Sequence, residues 1–312
     1  MITRRGFVSL ASLPLLARPS QVTSKARVER ALAGQSVDRS PFTFWYHFVD
    51  EKESGAKHAE STLAFHRKFK TDLVKVMSDY AYPKPSGGWL DARETTDPFP
   101  EQIRALELIR DGLKNQVPFL ETLFNPWNVA EKLSSKDEVA ALAASKPQAL
   151  ANVLEVIAKS QAHHARRAIK AGASGIFLAI ANSSRPDYAK LSEPYDKLIL
   201  EAARTAPMNT LHIHGDTVDL DRFLTGWPAS ILNYSSHGTG IALDSVRKKF
   251  SGLMLGGIDE RNYRTLGSGK LREQWNAAKS GCGAKFVLAP GCSVPNETSD
   301  AEMLALTKLV AG

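Results

Sequence analysis

Two cysteines, Cys282 and Cys292, are the only thiols in a chain of 312 residues. They are too few for a disulfide scaffold, and their spacing matches no structural zinc finger. Long apolar runs are missing as well. Beyond the first twenty positions nothing approaches the roughly 18 to 20 apolar residues of a membrane-spanning helix, which excludes an integral helical membrane protein. No glycine-rich phosphate turn follows the first strand-like run, which argues against a dinucleotide-binding doubly wound sheet. One-sided charge is scarce outside the N-terminus. The formal charge is +7, but Arg4, Arg5, Arg18, Lys25, Arg27 and Arg30 against Glu29 place +5 in the first thirty residues. The remainder leaves no footprint for nucleic acid. Arg247, Lys248 and Lys249 form the densest later cluster and read as a solvated helix face. With 43% hydrophobic and 23% charged residues, disorder and fibre are excluded, and the length suffices for one large core or two ordinary domains.

The first residues, MITRRGFVSLASLPLLARPS, carry a charged start, an apolar stretch over 7–17 and a closing Arg-Pro-Ser. Residues 1–20 therefore read as a targeting segment rather than part of a fold. Thr3-Arg4-Arg5-Gly6-Phe7 resembles the twin-arginine export signal, which implies a folded protein delivered to the periplasm. Ala17 is a weak cleavage position because Leu15 stands where a small residue is usual. Export after folding suits a protein that acquires its metal inside the cell, where metal availability decides which ion is bound.

From Pro41 onward, short β-branched or aromatic runs alternate with helical patterns, the signature of a parallel sheet covered by helices. Eight strands are predicted, over 42–48, 73–78, 118–124, 175–180, 210–214, 230–234, 252–256 and 285–289. A helix over 101–113 spaces Ile103, Leu106, Leu108, Ile109 and Leu113 at helical intervals, with Gly112 near its end. A longer helix over 149–171 makes one stripe of Leu150, Leu154, Ile157, Ala165 and Ile169 before Gly172. Eight such units over 21–312 predict an α/β fold, a single (β/α)8 TIM barrel, with the helix over 24–33 capping its lower mouth.

In a barrel of this kind the chemistry collects at the carboxyl ends of the strands, where the loops converge. The residues offered there are Trp45 and His47, Asp79 and Tyr80, Asn125, Trp127 and Asn128, Asn182, His212, His214 and Asp216, Asn233 and His237, Asp259, and Cys292. His212-Ile213-His214 is the most informative of these. Residues i and i+2 of a strand share a face, so two imidazoles can reach one ion, whereas filling a core with two inward histidines requires a partner for each ring. Cys292, after Ala289-Pro290-Gly291, adds a thiolate. Two imidazoles and one thiolate suit zinc and leave one position open, the count of a catalytic site. Hydrogen-bonded barrel histidines are the alternative reading. Cys282, in the loop before the eighth strand, reads as structural. Asp79 is a candidate proton carrier or a turn residue, and His237 a further ligand, a base or a loop histidine. Gly256-Gly257-Ile258-Asp259 either brings backbone close to a ligand or caps the next helix.

These motifs carry a resemblance. The chain is similar to the uroporphyrinogen decarboxylase superfamily over nearly its whole length after the first segment. That superfamily includes zinc methyltransferases that move methyl groups from corrinoid proteins to thiols. The resemblance rests on Arg27-Val28-Glu29-Arg30-Ala31-Leu32-Ala33-Gly34 with Val37-Asp38-Arg39-Ser40-Pro41, on Ser78-Asp79, on Gly256-Gly257-Ile258-Asp259, and on Phe286-Val287-Leu288-Ala289-Pro290-Gly291-Cys292. Ser78-Asp79 resembles the pair carrying the decarboxylases' catalytic aspartate. Those enzymes also clamp substrate carboxylates with an Arg-Gln-Ala-Gly-Arg segment, where this chain has Phe44-Trp45-Tyr46-His47-Phe48. The methyltransferases hold zinc with His-x-Cys-Gly and a later cysteine. His212-Ile213-His214-Gly215 resembles the first with histidine in the cysteine position, and Cys292 matches the second.

The targeting segment, the strand-end residues and the resemblance together predict an exported zinc enzyme of the methyltransferase-like branch. His212, His214 and Cys292 are its metal ligands, Asp79 and His237 its catalytic proton carriers, and Trp45, His47, Tyr80, Trp127, Asn182 and Asp259 its contacts to a small-molecule substrate. A corrinoid enters only as methyl donor on a partner protein. Two alternatives stand beside it: a metal-free lyase acting through Asp79 on a porphyrinogen-like or other carboxylated substrate, and an exported non-catalytic protein holding a flat ligand among Trp45, Tyr46, Tyr80, Tyr82 and Trp127.

Overall fold

The computed structural model describes residues 22–48 and 52–311. The expected export segment, with Arg4, Arg5 and Ala17, lies outside the described residues. Seven strands form one curled, barrel-like sheet in sequential order: β1 (Val74–Val76), β2 (Phe119–Phe124), β3 (Gly175–Ile180), β4 (Thr210–Ile213), β5 (Ile231–Tyr234), β6 (Leu253–Ile258) and β7 (Phe286–Pro290). All six pairings are parallel. Parallel neighbours cannot be joined by a hairpin, and the helices between them supply the crossovers.

The strand expected over 42–48 is reduced to a single bridge between Phe42 and Leu288. On one side the Thr43 N–H donates to the Leu288 carbonyl and the Leu288 N–H to that of Pro41, both at 2.9 Å. On the other, the Asp72 N–H donates to the Phe42 carbonyl at 2.9 Å, and the Thr43 hydroxyl donates to that of Leu73 at 2.6 Å. Pro41 has no N–H to offer a ladder, and the Thr43 side chain takes a carbonyl that a longer pairing would use. The segment thus lies between β7 and β1 without becoming a regular strand.

Alternation along the strands sorts two cores. Leu120, Phe177, Leu253 and Val287 point into the lumen with Trp45, and Val28 and Ala31 of the helix Ser24–Leu32 pack against the same cluster. That helix meets the strand starts, since the Lys25 N–H donates to the Gln116 carbonyl at 2.9 Å, so it covers the lower mouth as expected. The second core lies between sheet and helices. The helix Pro147–Lys170 buries Leu150, Leu154, Ile157 and Ala165 completely, while Ile169 is half-buried. Full burial of such an aliphatic side chain contributes about 1.5–3 kcal/mol. Gly112 does not end the helix Pro100–Leu113; it lies inside it, where a Cβ would stand 2.4 Å from Leu63 Cδ1 of the neighbouring helix Gly55–Phe69. Lys114, in the left-handed region, makes the stop.

The base is tied together by one buried carboxylate. Asp72 is fully buried and accepts from the Ser24 hydroxyl (2.8 Å), Arg27 Nη1 (2.6 Å), Arg39 Nη1 (2.5 Å) and the Phe42 N–H (3.1 Å). It links the first helix, the bridging segment and the approach to β1. Removing one member of a buried, hydrogen-bonded charge cluster leaves the others unpaired, which costs about 3–5 kcal/mol. We therefore expect Asp72→Ala to unfold in urea with a stability lowered by about that amount. An unchanged midpoint would refute the anchoring role.

Candidate metal centre

His212 on β4 and His214, the residue after its end, share one side because they are two residues apart and the His214 N–H still pairs with the Ile180 carbonyl at 2.9 Å, while Ile213 is buried in the outer core. Cys292 arrives from the turn after β7. One ligand atom from each of the three lies within 4.8 Å of the other two, and this is the one such trio among the described residues. Cys292 Sγ is 3.5 Å from His214 Nδ1, and the two imidazole centroids are 5.6 Å apart. His212 is buried, Cys292 half-buried and His214 exposed, so the group opens outward along one side.

The neighbouring strand orients the inner ring. Parallel register sets His212 beside Asn233 on β5. His212 Nδ1 donates to Asn233 Oδ1 at 2.6 Å, which leaves Nε2 as the nitrogen with a free lone pair. The ring also stacks on Phe177 of β3, with centroids 5.0 Å apart and planes at 28°. Asn233 Nδ2 donates to the Leu255 carbonyl at 2.7 Å and to the Pro290 carbonyl at 3.2 Å. One amide therefore fixes both the tautomer of His212 and the strand end from which Cys292 projects. An outer partner of this kind orients a metal-binding histidine and raises its basicity.

The electrostatics suit a thiolate. Burial alone would push the Cys292 thiol up, but hydrogen bonds from His212 and His214, and the charge these rings carry when protonated, outweigh it and bring the thiol down to about 4. Reciprocally, the hydrogen bond to Cys292 raises His214 against the opposing effect of burial. Cys282 behaves oppositely. It is the buried last residue of the helix Ser268–Cys282, not part of a loop, and burial pushes it up to about 11. The two cysteines therefore stand in opposite environments.

A cavity of about 530 Å³ opens over the trio, walled by Ser235, Glu260, Arg261 and Ser293. Asp79 is elsewhere. It lines a separate cavity of about 420 Å³ with Tyr80, Tyr82 and Phe99, and its two oxygens are engaged by Lys132 and Lys52, the latter at 2.8 Å. Burial would raise Asp79, yet the two ammonium groups prevail and hold it below the usual carboxylate range. His237 lines a third cavity, against the helix Ser268–Cys282, where Nε2 is 3.3 Å from the Gly257 carbonyl oxygen. Neither expected proton carrier is among the residues lining the cavity over the trio.

The expected substrate contacts also disperse. Trp45 is buried in the lumen, edge-on to Phe177 at 5.6 Å. Trp127 is buried on the helix Pro126–Leu133, donating to Glu131 at 2.9 Å beneath the Arg185 guanidinium. The two tryptophans are therefore packed as core and do not form an aromatic rim. His47 is half-buried and its N–H donates to Asn296 Oδ1 at 3.1 Å, and the Tyr80 hydroxyl is 3.5 Å from His58 Nδ1. Asp259 accepts from the Arg261 N–H at 3.0 Å and from Asn262 Nδ2 at 2.8 Å, closing the turn after β6. Gly257, with φ +105°, is required by the helix behind it, since a Cβ there would stand 2.6 Å from Ala278 Cβ.

Asn182 belongs to a buried polar network. It accepts from Asn125 Nδ2 at 2.8 Å and donates to Ser192 at 2.6 Å, while Asn125 and the Tyr188 hydroxyl both reach Asp196 Oδ2. Three residues given no role from the sequence matter more to the trio and to Asp79. Asn233 stood among the strand-end polar residues without a role, Glu260 was hidden beside Asp259, and Lys132 is an exposed helix lysine until the fold places it on Asp79.

The network generates a pH prediction. Burial lifts Asp196 from 3.8 to about 7, against hydrogen bonds from Tyr188 and Asn125 that lower it. Its folded-state value is above the unfolded one, so its contribution is fully present below pH 4 and lost as pH rises through about 7. We expect Asp196→Asn to flatten the stability profile between those limits, where the native protein declines by up to about 1.4 kcal/mol per pH unit. Parallel profiles for the two proteins would exclude Asp196 as the source.

The family model described as Uroporphyrinogen decarboxylase (URO-D) matches residues 89–312. No curated protein matches the chain. Among solved structures, a methyltransferase from Methanosarcina mazei superposes with a TM-score of 0.74 at 19% identity, covering 93% of this chain and 99% of that one. A B12-independent methionine synthase from Shewanella, in complex with selenomethionine, gives 0.57 at 11% identity over 88% and 92%. A putative vitamin-B12-independent methionine synthase from Listeria monocytogenes gives 0.51 at 11% identity over 82% and 86%. At these identities the likenesses speak to the fold. The family match spans more than half of the chain, and the chain belongs to the uroporphyrinogen decarboxylase family.

Proposed function

We propose that the protein is a metal-dependent enzyme of the methyltransferase-like branch, with zinc held by His212, His214 and Cys292. The observation that carries this reading is the meeting of two imidazoles and one low-pKa sulfur, with ligand atoms within 4.8 Å of one another. The donor set fits the ion. Thiolate and neutral imidazole are zinc's preferred partners, and three protein ligands leave a position open. Zinc bound there supplies a Lewis acid that lowers the pKa of a thiol or water. The remaining tasks fall to the chain's own groups. Asn233 holds His212 in the tautomer that presents Nε2, Phe177 backs its ring, and the cavity over the trio admits a small polar substrate beside Ser235 and Ser293.

The likeness to a methyltransferase over 93% of the chain is in keeping with methyl transfer; a thiol acceptor and a corrinoid donor on a partner protein follow from the resemblance of His212-Ile213-His214-Gly215 and Cys292 to the zinc methyltransferase motif. The Asp79 lyase reading has less support because Asp79 is ion-paired in a separate cavity. The flat-ligand reading loses Trp45 and Trp127, which are packed inside, and keeps only Tyr80 and Tyr82 on the wall of the cavity with Asp79. The twin-arginine-like start supports export to the periplasm, and fractionation of cells expressing the full chain, with an Arg4→Lys, Arg5→Lys control, tests it.

Elemental analysis of protein purified without added metal tests the centre. About one zinc per chain is expected, lost in Cys292→Ala, with affinity falling about 10–100-fold in Asn233→Ala because the inner imidazole loses its outer partner. A wild-type protein without zinc, or a Cys292→Ala variant that retains it, would end this reading. Incubation with methylcobalamin and a small thiol then tests the reaction, and methyl thioether is the expected product.

A further inference from the structure

We propose that Glu260 is the positioning residue of this centre, fixing Cys292 through the backbone and supplying the negative charge that the ligand set lacks. The inference rests on the metal reading above. Glu260 is 4% exposed, follows β6 and lines the cavity over the trio. Its Oε2 accepts from the Gly291 N–H at 3.1 Å. The carbonyl of the same peptide group, that of Pro290, accepts from Asn233 Nδ2 at 3.2 Å. Both ends of the peptide that precedes Cys292 are therefore held, one by an amide and one by a carboxylate.

The turn has no room to shift. A Cβ on Gly291 would stand 2.3 Å from Ser235 Cα and 2.9 Å from Glu260 Oε2, so only glycine can pass between the end of β5 and Glu260. A hydrogen bond from a backbone N–H to an ionised carboxylate is roughly twice as strong as one between neutral groups. Glu260 is thus suited to hold a turn whose next side chain must meet two rings.

Charge is the second part. Two neutral imidazoles and one thiolate leave a divalent ion with one uncompensated positive charge. Glu260 forms no ion pair among the described residues; the adjacent Arg261 is turned instead to Asp216. The Glu260 carboxylate lines the same cavity as the three ligand side chains. Glu260 is not within bonding reach of the whole trio and acts from outside the ligand set, where partners typically alter metal affinity 10–100-fold.

Cobalt(II) titration of metal-free protein tests this, with the near-ultraviolet thiolate-to-cobalt band reporting the Cys292 bond and circular dichroism reporting the fold. Glu260→Gln keeps an oxygen for the Gly291 N–H but removes the charge. It should give the wild-type band at saturation with affinity about tenfold or more lower. Glu260→Ala should lose affinity and also weaken or shift the band at saturation. If Glu260→Ala proves unfolded, Glu260→Gln decides alone. Wild-type affinity in Glu260→Gln, or a wild-type band in folded Glu260→Ala, would overturn the proposal while leaving the metal centre standing. A wild-type protein that shows no band at all would overturn the metal reading and this proposal together.

Discussion

The structure around the candidate centre depends on one side-chain amide. Asn233 is fully buried, and its three hydrogen bonds reach three strands: His212 on β4, Leu255 on β6 and Pro290 on β7. A buried amide must satisfy donors and acceptor alike, so its orientation admits little choice. The geometry at His212 and the geometry at Cys292 are therefore consequences of the same group. The parallel register makes this possible, since it sets Asn233 beside His212 at the end of the sheet where the loops open.

The polar groups of this chain divide by depth along the barrel. At the strand starts, Asp72 gathers two guanidiniums, a hydroxyl and a backbone N–H, and its role is to hold the first helix and the bridging segment to the sheet. At the strand ends, the imidazoles, the thiol and Glu260 face an open cavity. Between them the lumen is closed by Leu120, Phe177, Leu253 and Val287. Fold stability and candidate chemistry thus rest on separate groups at opposite ends, as expected where the sheet is a scaffold and the loops carry function.

Much of this was legible in the sequence, for reasons that differ by element. Strands such as 175–180 announced themselves as continuous apolar runs because a parallel strand is buried on both faces. His212-Ile213-His214 was readable because a strand has a period of two, which fixes a shared face without tertiary knowledge. The segment over 42–48 looked like its neighbours in composition, and only the hydrogen bonds around Thr43 and the proline before it reveal why pairing stops at one bridge. Aromatic residues misled, since Trp45 and Trp127 sit near strand ends in the sequence but turn into the lumen and the helical layer. Asp79 had the right position along the chain, but its lysine partners come from Lys52 and the helix Pro126–Leu133, which no local pattern signals. Glu260 was overlooked because Asp259 beside it looked the better acid, and only backbone placement shows that Asp259 closes a turn while Glu260 faces the cavity.

The contrast between the two sulfurs has a chemical consequence of its own. Cys282 is sealed at a helix end, and the length of β7, roughly 16 Å, separates the start of that strand from the turn bearing Cys292. The two cannot readily cross-link within one chain. In an oxidising compartment a lone, acidic, partly accessible sulfur without a resolving neighbour climbs toward sulfinic and sulfonic acids, which are not readily reversed. Occupancy by an ion would shield that sulfur, so loading before exposure to oxidants would set how long each molecule stays competent.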